Sequence, residues 1–318
     1  MLSIAMKNER IFITGGAGYL GSNLVAKYIE DNDVTVFSRD EAKHYYLKKK
    51  YPKVNCVIGD IRNYDSLHEA IKDHSVGIFA DSLKQIEAVD QNPKEGLEII
   101  VNGAFNSRRA SVENNLKTAT FISTDKSRGA TTLYGAMKFV AGEAFIMGYE
   151  KVPTGLTSVI YGNVLNSTGS VIPLIWDSIK NNYELTLYSE EMTRFMIDID
   201  EAIDCIEYSL QKDGYNVIPN LKSLKIKDLF EIYEKKFGLR WIPGSPRISE
   251  KIHEHLISPF EKDRVTLDKE NDMYLLHSKT VYGEGILPEN GLVSSDTTVS
   301  KEELNQVLAN HNYFKPNE

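Results

Sequence analysis

The stretch Arg10-Ile11-Phe12-Ile13-Thr14-Gly15-Gly16-Ala17-Gly18-Tyr19-Leu20-Gly21 joins a short apolar run to closely spaced glycines. An apolar run without alternation is typical of a strand buried on both faces of a parallel sheet. The following G-x-x-G-x-x-G pattern permits a tight turn and a close approach of backbone to a pyrophosphate, which the next helix binds with its first N–H groups. We therefore predict a dinucleotide site formed by Gly15, Gly18, Tyr19, Leu20 and Gly21.

Short β-branched runs alternate with helical patterns over the first 165 residues. Such alternation predicts an α/β fold, a Rossmann-type doubly wound parallel sheet with helices on both faces and a smaller C-terminal α/β part. The predicted strands are Arg10–Thr14, Val34–Phe37, Val54–Ile58, Val76–Ala80, Thr118–Ile122 and Leu156–Tyr161. The predicted helices are Tyr19–Glu30, Tyr64–Lys72, Pro93–Glu113 and Leu133–Tyr149.

The end of the second strand indicates which dinucleotide is bound. An NAD site usually has an acidic residue there, which holds the ribose 2′-hydroxyl. This chain has Ser38 and Arg39, and a guanidinium suits the oxygens of a 2′-phosphate. We therefore predict NADP rather than NAD. Asp60 and Ile61, just after the third strand, are predicted beside the adenine.

The alternation becomes irregular after about residue 165. We predict an NADP-binding domain over residues 1–165, with segments near 196–220 returning to its sheet, and a substrate-binding region over residues 166–318. Further helices are predicted at Val171–Lys180, Asp200–Lys212 and Ser223–Phe237, and a further strand at Tyr215–Ile218. The segment from Lys262 to Asp296 is expected to form loops and small strands.

The composition restricts the partners. The 318 residues include 37 Lys and Arg and 45 Asp and Glu, a formal net charge of −8. An acidic chain is a poor binder of nucleic acid, so a local cluster must hold any anionic ligand. Two cysteines provide no disulfide framework, and neither a signal peptide nor an apolar run of ~18 residues is present. We expect a cytoplasmic protein without a membrane partner.

A second group of polar residues follows the fifth strand. Asp125 and Lys126 place a carboxylate beside an amine at the carboxyl end of that strand, where such folds bind ligands. Tyr134 and Lys138 are spaced i, i+4 and so share one helix face. A lysine ammonium and a nicotinamide charge both favour the phenolate, which lowers the pKa of the tyrosine from ~10.

Several stretches together resemble the extended short-chain dehydrogenase/reductases, and within them the C5-inverting UDP-N-acetylglucosamine 4,6-dehydratases of polysaccharide and flagellar-sugar biosynthesis. The resemblance extends from about residue 10 to residue 305. The stretches that carry it are Ser38–Glu41, Gly59–Arg62, Leu83–Ile86, Ser123–Lys126, Leu133–Lys138, Tyr161–Val164, Gly169–Pro173, Met192–Phe195 and Arg247–Glu254.

The resemblance implies roles for individual residues. Tyr134, assisted by Lys138 and Thr124, would take the 4-hydroxyl proton while hydride leaves C4 for NADP⁺. The neutral amine of Lys126 would then remove the C5 proton, and Asp125 would protonate the departing 6-hydroxyl. Hydride would return to C6, with reprotonation of C5 on the opposite face. The implied substrate-binding residues are Lys84, Asn163, Arg194, Arg247 and Glu250. The resemblance also implies a homo-oligomer that binds a UDP-sugar.

Two other functions stay open from the sequence. A UDP-sugar 4-epimerase would share the fold, the tyrosine and the lysine, but it needs no acid and base at C6 and C5. A non-enzymatic NADP-binding regulatory protein is the other alternative, although such proteins often lose the active-site tyrosine or lysine. No metal site is expected, because His253 and His255 on a predicted helix would point to different faces.

Overall fold

The computed structural model describes residues 6–246, 248–279 and 285–316. Its strands are β1 (Arg10–Thr14), β2 (Asp33–Ser38), β3 (Asn55–Ile58), β4 (Val76–Phe79), β5 (Thr118–Ile122), β6 (Gly155–Val159), β7 (Asn163–Val164), β8 (Leu185–Leu187), β9 (Thr193–Ile197), β10 (Tyr215–Pro219), β11 (Ser223–Lys225), β12 (Trp241–Pro243), β13 (His255–Ile257), β14 (Val265–Asp268), β15 (Met273–His277) and β16 (Leu292–Val293). Its helices are α1 (Tyr19–Tyr28), α2 (Glu41–Lys50), α3 (Tyr64–Ala70), α4 (Ile86–Gln91), α5 (Pro93–Gly96), α6 (Gly103–Glu113), α7 (Leu133–Ile146), α8 (Val171–Asn181), α9 (Ile199–Ser209), α10 (Ile226–Phe237) and α11 (Lys301–Asn310).

The main sheet has the strand order β14-β15-β10-β6-β5-β4-β1-β2-β3. The seven strands β10, β6, β5, β4, β1, β2 and β3 are parallel to one another. Strand β15 pairs antiparallel with β10, and β14 pairs antiparallel with β15. The predicted Rossmann-type doubly wound sheet is confirmed. Because the parallel strands all end at one edge, the residues that follow β1, β2, β4 and β5 lie along a common crevice.

Helices cover both faces of this sheet because the central strands are apolar on both sides. Ile11, Phe12 and Ile13 of β1 are fully buried. Ile11 and Ile13 belong to a core that includes Leu24 of α1, whereas Phe12 belongs to a core that includes Phe145 of α7. The two cores lie on opposite faces, since successive strand residues point in opposite directions.

A third apolar core stabilises the C-terminal part. It is formed by α8, α10 and α11, with Ile175, Tyr233 and Leu308 among its buried side chains. Strands β9, β11 and β7 form a separate small sheet beside it. Strands β10, β14 and β15 nevertheless belong to the main sheet, so the chain returns there after residue 166.

Several predicted elements are present with small shifts at their ends. The predicted helix over residues 93–113 is present, but Leu97–Asn102 within it winds as a π helix. The predicted helix over residues 223–237 was wrong in its first turn, because residues 223–225 pair with β9 as a strand. The helix α2 was missing from the predicted elements, although Asp40 caps it by accepting a hydrogen bond from the Lys43 N–H.

The interpretation of residues 253–255 as part of a helix is also wrong. His255 begins β13, and the preceding residues are turns and bends. The backbone there is already bonded elsewhere, because the carbonyl of Ile252 accepts a hydrogen bond from the Thr193 N–H at 3.0 Å. Ser249 also adopts a left-handed conformation, with φ 64°, which a helix does not allow.

Arg128 ties the C-terminal part to the main sheet through a buried ion cluster. Its side chain is fully buried, and Nη1 contacts both Glu143 of α7, at 3.1 Å, and Glu261. Its backbone carbonyl accepts a hydrogen bond from Lys251 Nζ at 2.8 Å. Glu261 also accepts hydrogen bonds from the N–H and the hydroxyl of Ser258. Arg128 therefore connects α7 to the segment that follows β13.

We expect Arg128→Met to lower the free energy of unfolding by about 3–5 kcal/mol, because it removes the cation that contacts the buried carboxylate of Glu261 most closely and leaves it Arg264, at 3.7 Å. Urea denaturation at pH 7 measures this loss. The matched control is Arg109→Met, since Arg109 pairs with Glu113 on the surface and is 61% exposed in its side chain. Adding Glu261→Gln to Arg128→Met should restore part of the stability. An unchanged unfolding curve for Arg128→Met would contradict a stabilising role of the buried ion cluster.

Candidate active site

The turn after β1 leaves room for a phosphate. Gly15 has φ +66°, and a Cβ there would lie 2.9 Å from the backbone N and Cα of Asp81. Gly21 is as restricted, because its Cβ would lie 2.3 Å from Gly16 Cα. Within the described ranges, no acceptor contacts the N–H groups of Tyr19 and Leu20 at the start of α1. The turn therefore fits a dinucleotide pyrophosphate held by backbone donors.

The predicted adenosine side of the site lies at the ends of β2 and β3. Ser38 Oγ lies 2.7 Å from His44 Nε2. Arg39 is half exposed, and its Nη1 lies 3.7 Å from Asp60 Oδ2. Arg62 binds Asp60 more closely, with Nη2 at 2.6 Å from Oδ2, so hydrogen bonding to Arg62 lowers the pKa of Asp60. The predicted residue Ile61 is buried in the core beside α6 rather than open to the crevice.

Tyr134 and Lys138 lie in the first part of α7 and are both buried. Lys138 Nζ donates to the carbonyl of Ile122 at 2.7 Å. Burial lowers the pKa of Lys138 to about 8, although the Asp81 carboxylate opposes this shift. Burial, followed by the charge of Asp125, raises the pKa of Tyr134. Without further positive charge beside it, the tyrosine is therefore held in the neutral form.

Asp125 and Lys126 form a contact pair in a single 3₁₀ turn after β5. Asp125 is fully buried, and its Oδ1 accepts hydrogen bonds from Thr124 Oγ1 at 2.9 Å and Lys126 Nζ at 3.1 Å. Its Oδ2 has no partner among the described residues. Lys126 Nζ also donates to Asn163 Oδ1 at 3.3 Å, and its side chain is 23% exposed. The structure thus brings together four residues predicted from the sequence.

The protonation of Asp125 depends on a carboxylate that the sequence analysis did not select. Burial raises the pKa of Asp125, and the charge of Glu254 raises it further, while Lys126 opposes both. Glu254 is itself buried, 2.9 Å from Lys251 Nζ. Burial would raise the pKa of Glu254, but Lys126, Lys251 and Arg194 outweigh it and lower that pKa. Glu254 is thus the ionised carboxylate of this cluster.

The structure also brings Arg194 and Glu250 together, but the guanidinium of Arg194 already donates hydrogen bonds to acceptors of the protein. Arg194 Nη1 donates to the carbonyls of Thr193, at 2.8 Å, and Ile252, at 3.1 Å. Nη2 donates to Glu250 Oε1 at 3.2 Å, and Nε lies 4.0 Å from Glu254 Oε1. Only 9% of the side chain is exposed. A diphosphate would have to replace at least one of these acceptors.

Of the two remaining predicted substrate-binding residues, Lys84 lies apart from this cluster. Lys84 is exposed and donates through Nζ to the carbonyl of Thr168, so it connects the segment after β4 with the segment before α8. Arg247 lies outside the described residues. In the ranges that the structure describes, no group of three or more His, Cys, Asp and Glu could hold a metal ion. No helix of those ranges is long and apolar enough to cross a membrane.

Comparisons with known proteins show which proteins the chain is similar to. The chain is 31% identical to the UDP-N-acetylglucosamine 4,6-dehydratase (inverting) of Campylobacter jejuni over 276 residues, which cover 83% of this chain and 81% of that protein. It is also 31% identical to the UDP-glucose 4-epimerase of Rickettsia massiliae over 271 residues, which cover 80% and 79%. An uncharacterised membrane protein of Methanocaldococcus jannaschii is 30% identical over 97% of both chains.

Solved structures share the fold. The X-ray structure of Pen from Bacillus thuringiensis superposes with a TM-score of 0.87 and 27% identity, over 98% of this chain and all of that one. A dTDP-glucose 4,6-dehydratase from Streptomyces venezuelae, solved with NAD bound, gives a TM-score of 0.66 at 17% identity over 76% of this chain and 86% of that one. The second likeness concerns the fold alone.

The fold and these relatives define a protein of the nucleotide-sugar dehydratase and epimerase type. Residues 11–277 match the family described as polysaccharide biosynthesis protein, and the chain belongs to this family. The resemblance to the 4,6-dehydratases inferred from the sequence is confirmed.

Because Lys138 is buried, the free energy of unfolding is expected to vary with pH in the alkaline range. An unfolded lysine stays charged up to about 10.5, whereas Lys138 in the fold loses its proton near a pKa of about 8. Between these values the unfolded chain binds more protons, so the free energy of unfolding rises with pH, by at most about 1.4 kcal/mol per pH unit.

Urea denaturation from pH 7 to pH 10 should therefore show the wild-type protein gaining stability relative to Lys138→Met above pH 8. The matched control Lys117→Met removes a surface lysine that is 68% exposed in its side chain, and it should follow the wild-type pH dependence. Parallel pH curves for Lys138→Met and the wild type would show that Lys138 does not titrate in this range.

Proposed function

We propose that this protein is an NADP-dependent 4,6-dehydratase that converts UDP-N-acetylglucosamine, or a close relative, to a UDP-4-keto-6-deoxy sugar with inversion at C5. The observation that carries the proposal is the contact between Asp125 and Lys126 at the carboxyl end of β5. Loss of water across C5 and C6 needs both an acid and a base, and this pair provides them side by side. The sugar and the C5 outcome rest on the likeness to the Campylobacter jejuni enzyme.

NADP⁺ fits the glycine turn and the Ser38–Arg39 segment, with residues 1–165 as its main binding region. When bound, it would accept a hydride from C4 of the sugar and return it to C6, and its charged nicotinamide would favour a phenolate nearby. Tyr134 then takes the proton of the 4-hydroxyl. Lys138, protonated below its pKa of about 8, adds a second positive charge that stabilises the phenolate at neutral pH.

Asp125 and Lys126 carry the elimination. An ammonium cannot accept a proton, so Lys126 acts as a base only as the neutral amine. Its Nζ lies 3.1 Å from Asp125 Oδ1, and transfer of one proton along this contact gives a neutral amine and a carboxylic acid. The amine removes the C5 proton, which the neighbouring 4-ketone acidifies. Asp125 then protonates the 6-hydroxyl, which leaves as water.

Burial supports the protonated form of Asp125. Asp125 is fully buried in the low-dielectric interior, its Oδ2 has no partner in the described ranges, and the charge of Glu254 adds repulsion. Each of these effects disfavours the carboxylate and so favours the acid that protonates the leaving group. Thr124 donates to Oδ1 and keeps the carboxyl group oriented.

The remaining predicted residues are proposed to hold the UDP-sugar. Asn163 contacts Lys126 directly and so lies nearest to the reacting carbons. Arg194 and Glu250 are proposed to bind the UDP portion after Arg194 exchanges a protein acceptor for a phosphate oxygen. Lys84 and Arg247 complete the proposed set, which belongs mainly to the region of residues 166–318.

We also propose that the protein is a homo-oligomer. Helix α7 exposes Leu133 and Val140, which are seven residues apart and so lie on one face, and the exposed Met147 directly follows the helix. The adjacent α6 exposes Phe105, at 50% of its surface. A second copy of the chain would cover this apolar face.

A UDP-sugar 4-epimerase is the second candidate, because relatives with that name match at similar identity. Epimerisation uses the tyrosine and the lysine of α7 but breaks no bond at C5 or C6. It therefore gives no role to the contact between Asp125 and Lys126. The two reactions differ in the mass of the product.

Purified protein incubated with NADP⁺ and UDP-N-acetylglucosamine in D₂O should yield a sugar that has lost one water and gained deuterium at C5. Mass spectrometry measures the loss, and NMR locates the deuterium and gives the C5 configuration. A C4 epimer of unchanged mass would support the epimerase and overturn the dehydratase.

Lys126→Met should abolish both deuterium exchange at C5 and the loss of water, because methionine has similar length but no amine. It should retain NADP⁺ binding and the wild-type unfolding curve, measured by fluorescence titration and urea denaturation. Lys117→Met is the control and should keep full activity. If Lys126→Met releases water at a rate near the wild type, Lys126 is not the base.

A further inference from the structure

His44 lies in the first part of α2 and is buried, with 4% of its surface exposed. Its Nε2 lies 2.7 Å from Ser38 Oγ, at the end of β2. Its Nδ1 is also buried and has no hydrogen-bond partner among the described residues. One ring nitrogen therefore meets a hydroxyl at the end of β2, and the other is buried without a hydrogen-bond partner in the described ranges.

The unpartnered Nδ1 determines where the ring proton lies. Burial lowers the pKa of His44, although Asp40 opposes the shift, so the ring is neutral at pH 7 and carries a single N–H. Nδ1 has no partner in either tautomer, but an unsatisfied buried N–H is rarer in proteins than an unsatisfied buried acceptor, so the favoured tautomer has its proton on Nε2, in the contact with Ser38. In this tautomer His44 donates from Nε2 to Ser38 Oγ.

This donation directs the hydroxyl of Ser38. Because Oγ already accepts from His44, its own proton points away from the ring, towards the crevice. A phosphate oxygen only accepts hydrogen bonds, so it matches an outward donor. A ribose 2′-hydroxyl can both donate and accept a hydrogen bond. Because Ser38 Oγ already accepts from His44, it is a weaker acceptor for the proton of that hydroxyl.

We propose that His44 is a positioning residue that makes Ser38 a hydrogen-bond donor to the 2′-phosphate, and that it thereby favours NADP over NAD. The inference rests on the NADP dependence in the proposed function. Arg39, the next residue, supplies positive charge. Among the described residues its guanidinium contacts only Asp60, at 3.7 Å, so it can also approach a phosphate. Charge attracts the phosphate over a distance, whereas the Ser38 hydroxyl recognises it by direction.

The test compares the Kd values of NADP⁺ and NAD⁺, measured by fluorescence titration of the full-length protein. His44→Leu should weaken NADP⁺ binding by about three- to tenfold, the size of one hydrogen bond, and leave NAD⁺ binding unchanged or tighter. His44→Gln provides an amide N–H and should retain most of the preference. Ser38→Ala should show the same loss as His44→Leu, and the double variant should lose no more than either single variant.

Nitrogen-15 NMR of the wild-type protein measures the tautomer directly, and it should place the proton on Nε2 of His44. A proton on Nδ1 would overturn the inference. A wild type that prefers NADP⁺, with a preference that His44→Leu leaves unchanged, would overturn the role of His44 alone. A wild type that binds NAD⁺ more tightly than NADP⁺ would instead overturn the cofactor assignment.

Discussion

The parallel sheet places the carboxyl ends of its strands at one edge, and the polar groups that line the cofactor crevice, together with Asp125 and Lys126, depend on this constraint. Gly15 follows β1, Ser38 ends β2, Asp81 follows β4 and Asp125 follows β5. These residues are far apart in the chain, yet strand pairing alone aligns them along one crevice. The apolar strands that make the alignment rigid also remove water from the residues at their ends. Burial therefore raises the pKa values of Asp81 and Asp125 and lowers that of Lys138, which favours the neutral form of each group.

Buried charge is the second organising feature, and it joins the two parts of the chain. Taking an ion out of water costs free energy that only close partners offset. Arg128 and Arg194 meet this requirement with partners that are distant in sequence, and Glu254 meets it with Lys251, three residues before it. The segment of residues 250–261 supplies most of these partners. It thus closes the site next to Lys126 without forming a helix or pairing with the main sheet.

The sequence predicted the main sheet well because its signals are local. Runs such as Ile11-Phe12-Ile13 identify buried strands, and the spacing of Tyr134 and Lys138 identifies a helix face. The order of β9, β11 and β7 was not predictable from the sequence, since these strands are two to five residues long. Helix α2 has almost no apolar face, so periodicity gives no signal there, although Asp40 is a recognisable cap.

The candidate site was predictable where its residues follow strands and less so where they come from the C-terminal part. Thr124, Asp125, Lys126 and Asn163 lie together as expected. Glu254 stands within a quoted stretch, but nothing in its neighbours indicates that it approaches Asp125 from more than a hundred residues away. His44 was also missed, because a histidine among tyrosines and lysines looks like part of a solvated helix. The position of β6 between β5 and β10 has a further consequence: if the chain were cut near residue 165, β10 would be lost and β6, a mostly buried strand of five residues, would have one bare edge. Such an edge pairs readily with other chains, so the cofactor-binding half would aggregate rather than persist as an independent module.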